Sequence, residues 1–142
     1  MCSGLVHWES RKIMTKPTVA VVDDSEIMRD AMVHLLCSAG FAVESYLSAE
    51  EFLTAADVSQ ANCLVVDIEL GDITGIELVR ELRDLGYSIP VIFMTGSPDD
   101  TFRRAACALE CSAFFAKPFP AQDMLAAIER ASARQPQLGK YA

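Results

Sequence analysis

The sequence predicts an α/β fold: a doubly wound, five-stranded parallel sheet with helices on both faces. Three observations predict it. Short apolar runs alternate with segments of helical periodicity, five times along the chain. The central runs, Val19-Ala20-Val21-Val22 and Cys63-Leu64-Val65-Val66, are continuously apolar, as strands covered on both faces are. Polar residues stand at the C-terminal end of four of the runs: Asp23-Asp24 after the first, Asp67 on the third, Thr95 on the fourth and Lys117 after the fifth.

The elements follow in order. Thr18 to Val22 is a short β-branched run and reads as the first strand. Ser25 can cap the helix that follows, in which Met28, Ala31, Met32, Leu35, Leu36 and Ala39 repeat at helical spacing until Gly40 ends it. Residues 41–46 alternate, so the second strand has one more exposed face. Ser48 with Glu51 is a capping-box pattern that opens a helix through Phe52, Leu53 and Ala56. Residues 63–67 form the third strand. A helix over 75–85 turns Ile76, Leu78, Val79 and Leu82 inward and stops at Gly86. Residues 90–95 form the fourth strand, 98–109 the fourth helix and 113–116 the fifth strand. Pro120 can occupy the first turn of the last helix, which carries Met124, Leu125, Ile128 and Ala131. Right-handed crossovers between such units give a parallel sheet covered on both faces, with a flavodoxin-like strand order 2-1-3-4-5.

Composition bounds the function. At 142 residues the chain is read as one domain over 17–134, with an extension over 1–16, expected to be disordered, and a tail over 135–142. A hydrophobic content of 51% excludes global disorder, and a net charge of -8 argues against broad binding to nucleic acid or anionic membrane. No apolar run is long enough to span a bilayer. Residues 1–13 are no signal peptide, because His7, Glu9, Arg11 and Lys12 interrupt any apolar stretch; Met14 is an alternative start. The five cysteines are odd in number and lack a C-x-x-C pair, against a disulfide framework or zinc ribbon and in keeping with a reduced, cytoplasmic setting. Cys37 and Cys63 are read as small core residues. Cys107 and Cys111 are read as small hydrophobes in preference to a redox pair or half a metal site. His34 is read as a helix-surface residue.

The polar strand ends carry chemistry. In the 2-1-3-4-5 order the first and third strands are neighbours, so Asp23, Asp24 and Asp67 converge, with Thr95 and Lys117 approaching from the far side. Clustered carboxylates raise one another's pKa, and a hard divalent cation such as Mg²⁺ relieves them. Asp67 can then attack a phosphoryl group, with Lys117 and the cation neutralising its oxygens and the Thr95 hydroxyl donating to another.

The ordered set Val-Val-Asp23-Asp24, Leu-Val-Val-Asp67, Met-Thr95-Gly and Ala-Lys117-Pro118-Phe119 resembles the response-regulator receiver domain of two-component signalling over about residues 17–133. Residues 46–53 and 90–96 further resemble the FixJ-type branch. The resemblance implies that Asp67 accepts a phosphoryl group from a histidine kinase or phosphotransfer protein. It implies that Asp24, Asp67 and the backbone carbonyl of Glu69 ligate Mg²⁺, with Asp23 acting through water. It makes Thr95 the switch hydroxyl, Phe114 the switch aromatic and Lys117 a bridge to the phosphoryl group, with a cis Lys117-Pro118 bond. Glu69 and Ser97 take positions that tune hydrolysis in the family. The output would be a protein-interaction surface on the fourth helix, fifth strand and fifth helix, for an effector or a second copy. FixJ-type receivers often precede a helix-turn-helix domain, but only about ten residues follow the last helix, so no direct DNA binding is expected, and no membrane. Three departures stand out: Gly71 for Pro, Thr74 for Asp, which leave the loop after Asp67 freer, and Cys111-Ser112 for Gly-Ala.

The reading is therefore a single-domain response regulator, not an enzyme beyond slow self-dephosphorylation. The alternative is a degenerate or truncated receiver, acting as a protein-binding module or missing a DNA-binding output domain. A phosphohydrolase of the haloacid dehalogenase type also uses an Asp nucleophile with Thr, Lys and Mg²⁺. Its nucleophile ends the first strand in D-x-D, whereas here the first strand ends in Asp23-Asp24-Ser25 and no cap domain fits the length.

Overall fold

The computed structural model describes residues 16–97 and 100–133. The expectations for residues 1–13 and 135–142 lie outside the described residues. Strands β1 (Thr18–Val22), β2 (Ala42–Tyr46), β3 (Cys63–Asp67), β4 (Val91–Thr95) and β5 (Ala113–Ala116) alternate with helices α1 (Glu26–Ser38), α2 (Ala49–Ala55), α3 (Gly75–Asp84), α4 (Asp100–Ala108) and α5 (Ala121–Ser132). A 3₁₀ turn, Val58–Gln60, lies between α2 and β3. The sheet order is β2-β1-β3-β4-β5 and every pairing is parallel, as the sequence predicts.

Period-two alternation divides the core between the two faces of the sheet. Ala20, Val22, Leu64, Val66, Val91 and Phe93 pack on one side with Phe52 of α2, Leu78, Val79 and Leu82 of α3 and Ala106 of α4. Val19, Val21, Cys63, Val65, Ile92 and Met94 pack on the other with Met32 and Leu36 of α1 and Met124 and Ile128 of α5. The three inner strands are almost wholly buried, and the outer strands β2 and β5 are only partly covered. An edge position leaves one side of each outer strand without a sheet neighbour.

The helix ends obey their local chemistry. Ser25 Oγ accepts from the Met28 amide, Ser48 Oγ from the Glu51 amide and Thr74 Oγ1 from the Glu77 amide, each satisfying an orphan donor of the first turn. Thr74 and Glu77 complete a reciprocal capping box. Gly40 and Gly86 terminate α1 and α3 with φ of 97° and 96°, in the left-handed region that favours glycine. At the end of α4 that conformation falls on Glu110, with φ 57°, one residue before the Cys111-Ser112 expected to carry the departure.

Three expectations for α1 are corrected. Ala31, Cys37 and Ala39 are exposed. Met32 and Leu36 fill the core, and Cys37, one residue past Leu36, has turned about 100° away from it toward water. Cys63 is buried as expected, and His34 lies on the surface. The inward residues of α3 are all four as predicted. Helix α4 is Asp100–Ala108 and ends one residue before the expected Leu109; residues 98–99 lie outside the described residues.

Candidate functional site

The parallel sheet brings the polar strand ends to one edge. Asp23 follows β1, Asp67 and Thr95 are the last residues of the adjacent strands β3 and β4, and Lys117 follows β5. Asp23, Asp67 and Thr95 are the buried polar residues of the described chain, whereas Asp24 is exposed. Carboxylate oxygens of Asp23, Asp24 and Asp67 lie within 4.8 Å of one another.

Lys117 Nζ donates to Asp67 Oδ2 at 2.9 Å and to Asp23 Oδ2 at 3.2 Å. The Glu69 amide donates to Asp67 Oδ1 at 3.0 Å, so each oxygen of Asp67 holds one donor. Asp23 is similarly engaged, because its Oδ1 accepts the Ser25 amide at 2.9 Å. Its backbone is held too: the amide donates to the Tyr46 carbonyl and the carbonyl accepts Arg29 Nη1 at 2.8 Å. Asp24, by contrast, presents its carboxylate to solvent at the mouth of the cluster.

The electrostatics follow from one cation among three acids. Burial pushes the Asp67 carboxyl up to about 6, helped by the nearby Asp23 charge and opposed by the Lys117 and Glu69 hydrogen bonds. Burial pulls Lys117 down, but its bonds to Asp67 and Asp23 and their charges outweigh it, and its pKa rises. An isolated ion pair would lower the acid while raising the base. The two acids hold Lys117 cationic, while burial, with a smaller contribution from the Asp23 charge, raises Asp67.

The charge balance is the test of fit for a metal. Three carboxylates against one ammonium leave the cluster negative, and the donors are all oxygen, one set open to solvent through Asp24. A hard divalent cation that retains part of its water, such as Mg²⁺, matches this donor set.

Thr95 stands beside this cluster and is turned elsewhere. Its hydroxyl donates to Glu69 Oε2 at 2.8 Å, and the Gly96 amide donates to Glu69 Oε1 at 3.2 Å. Sequence reasoning placed Glu69 through its backbone carbonyl and missed this use of its side chain. Phe114 is half-buried on β5 and packs against the core, with the Arg103 guanidinium 4.7 Å from its ring centre. Phe115 packs on the opposite face of the sheet. The Lys117-Pro118 bond is cis.

The loop after Asp67 is tethered at several points. The Leu70 and Gly75 amides both donate to the Ile68 carbonyl, and Gly71 takes φ 118°. A side chain on Gly75 would meet the Asp67 carbonyl oxygen at 2.5 Å, so glycine is required where α3 begins against β3.

Comparison with known proteins agrees with this geometry. Residues 19–129 match the family model described as the response regulator receiver domain. The transcriptional regulatory protein FixJ of Rhizobium meliloti is 40% identical over 119 residues, which span 84% of this chain and 58% of that protein. The crystal structure of FixJ-N superposes with a TM-score of 0.78 at 39% identity, covering 85% of this chain and 97% of that one. The response regulator StyR superposes with a TM-score of 0.81 at 35% identity, covering 89% of this chain and 64% of that one. The chain thus spans little more than half the length of the curated relatives it matches, 58% for both FixJ and the response regulator TodT of Pseudomonas putida.

Proposed function

The chain belongs to the response regulator receiver domain family, and from that premise we propose that it is a phosphoacceptor switch whose nucleophile is Asp67. The observation that supports this most directly is the position of Asp67 at the end of β3, with Lys117 Nζ 2.9 Å from one oxygen and two further carboxylates beside it.

Asp67 attacks the phosphorus of a phosphohistidine in line, from a histidine kinase or phosphotransfer protein. The new O–P bond forms as the donor's P–N bond breaks, and the imidazole leaves, taking a proton from solvent. The product is an acyl phosphate. Asp24, Asp67 and the Glu69 carbonyl are the residues that would hold Mg²⁺, with Asp23 acting through water. When bound, the metal neutralises charge on the phosphoryl oxygens. Lys117, held cationic, follows the new charge from Asp67 to the phosphoryl group.

Thr95 then carries the signal. Its hydroxyl turns toward the phosphoryl group, Phe114 moves into the space vacated, and the α4–β5–α5 face changes shape for a protein partner or a second copy. The net charge of -8 favours a protein over DNA as the direct partner. No helix among the described residues is long and apolar enough to cross a membrane.

Intact mass after incubation with Mg²⁺ and acetyl phosphate tests the site. One phosphoryl adduct is expected, absent in Asp67→Asn and absent without Mg²⁺. An adduct that persists in Asp67→Asn would remove Asp67 from the role.

A further inference from the structure

We propose that the Glu69 carboxylate is an internal anion that holds the Thr95 hydroxyl and the Gly96 amide until an incoming phosphoryl group displaces it. The inference rests on the reading of Asp67 as the phosphoacceptor.

Glu69 is fixed at its backbone and free at its tip. Its amide is bound to Asp67 Oδ1 at 3.0 Å, so the residue is anchored to the nucleophile's own carboxylate. From there the side chain crosses from the end of β3 to the end of β4. Its two oxygens take two donors, Oε2 from Thr95 Oγ1 at 2.8 Å and Oε1 from the Gly96 amide at 3.2 Å. Two oxygens of one anion on a hydroxyl and an amide is the pattern a phosphoryl group on Asp67 would need from the same donors.

The Thr95 hydroxyl has one proton and two acceptors in reach. The Ser97 carbonyl lies at 3.2 Å, and the Ser97 amide donates back to Thr95 Oγ1 at 3.0 Å. The shorter contact to a charged acceptor takes the proton. Glu69 therefore sets the resting direction of Thr95, and without it the proton turns to Ser97. Glu69 is exposed, so its carboxylate can swing into water when displaced, and the contact slows entry without blocking it. Its negative charge also opposes the approach of a phosphoryl dianion.

Two variants separate charge from contact: Glu69→Gln keeps an acceptor and loses the charge, and Glu69→Ala loses both. In Mg²⁺-free protein, the Gly96 amide proton is expected to move upfield by NMR and to exchange with solvent several-fold faster in Glu69→Ala. With Mg²⁺ and acetyl phosphate, the labelling rate read by intact mass is expected to rise roughly three- to tenfold in Glu69→Ala, and less in Glu69→Gln, as loss of one solvent-exposed hydrogen bond gives. A wild type labelled at Asp67 with variants that label no faster, or a Gly96 amide unchanged by Glu69→Ala, would overturn the inference and leave the receiver reading standing. Failure of wild type and variants alike to label, with acetyl phosphate and with a phosphorylated kinase, would overturn both.

Discussion

Asp67 ionises against the grain of its surroundings, and this has a consequence for stability. Its folded-state pKa of about 6 lies above the ordinary value of 3.8. The folded state holds that proton more tightly than the unfolded chain does. As pH rises through this window the unfolded state sheds its proton first, so folding stability falls, and the loss is complete above about pH 6. An Asn at this position carries no titrating proton. In metal-free buffer, Asp67→Asn is therefore expected to melt higher than wild type at pH 7.5 by a few degrees, with the gap closing toward pH 4. Thermal melts across that range check it, and a gap that widens on acidification would contradict the direction. Lys117 gives the complementary case. Removing its ammonium leaves buried Asp23 and Asp67 facing each other, so Lys117→Ala is expected to lose phosphoryl labelling and to push the Asp67 titration higher still, which carboxyl NMR can follow.

The decisive element is the segment from Asp67 to α3, because it carries the proposed nucleophile and is held by short-range contacts. Gly75 abuts the Asp67 carbonyl, and a Cβ there would sit 2.5 Å from a backbone oxygen that has nowhere to go. Gly75→Ala is expected to cost about 1–3 kcal/mol by overpacking and to displace Asp67, reducing labelling well beyond what lost stability explains. Denaturant melts beside labelling rates separate the two effects. The cap next to it is milder. Thr74→Ala removes the capping box of α3 and is expected to cost about 1 kcal/mol with little change in labelling, because the Thr74 hydroxyl and amide bond to Glu77 within the helix. Thr74 and Gly71 both have local roles here: Thr74 caps α3, and Gly71 takes a left-handed turn.

At the scale of the molecule, the fold works as a device for holding like charges together. Burial of Val65, Val66, Phe93 and their neighbours on two faces fixes the ends of β1 and β3 side by side, and the acids at those ends must follow. The core bears the strain. Leu82→Ala, deep under α3, is expected to cost about 2–5 kcal/mol in denaturant melts. A bound cation would relieve the repulsion and bind only the folded state. Mg²⁺ well above its dissociation constant is therefore expected to raise the melting temperature of wild type by several degrees, about 2.7 kcal/mol at a hundredfold excess, and Asp24→Asn to lose most of that rise. Equal stabilisation of the two proteins would take Asp24 out of the metal site.

The sequence by itself determined the alternation of elements, the strand order and the identity of the polar strand ends. The physical reason is that these depend on local periodicity and on sheet rules that every α/β chain obeys. Cys63 could be placed because its whole strand is apolar. Cys37 could not, because one residue of helix, about 100° of rotation, separates the core from water, and an apolar neighbour does not show which side a small residue takes. Only the tertiary structure decided what the side chains at the strand ends do. Glu69 and Thr95 are 26 residues apart and meet because β3 lies against β4. Lys117 and Asp23 are 94 residues apart and meet across the sheet edge. Arg103 rests on Phe114 because α4 returns over β5. Those contacts follow from the distances between elements, which the packing of the two apolar layers sets and no local pattern encodes.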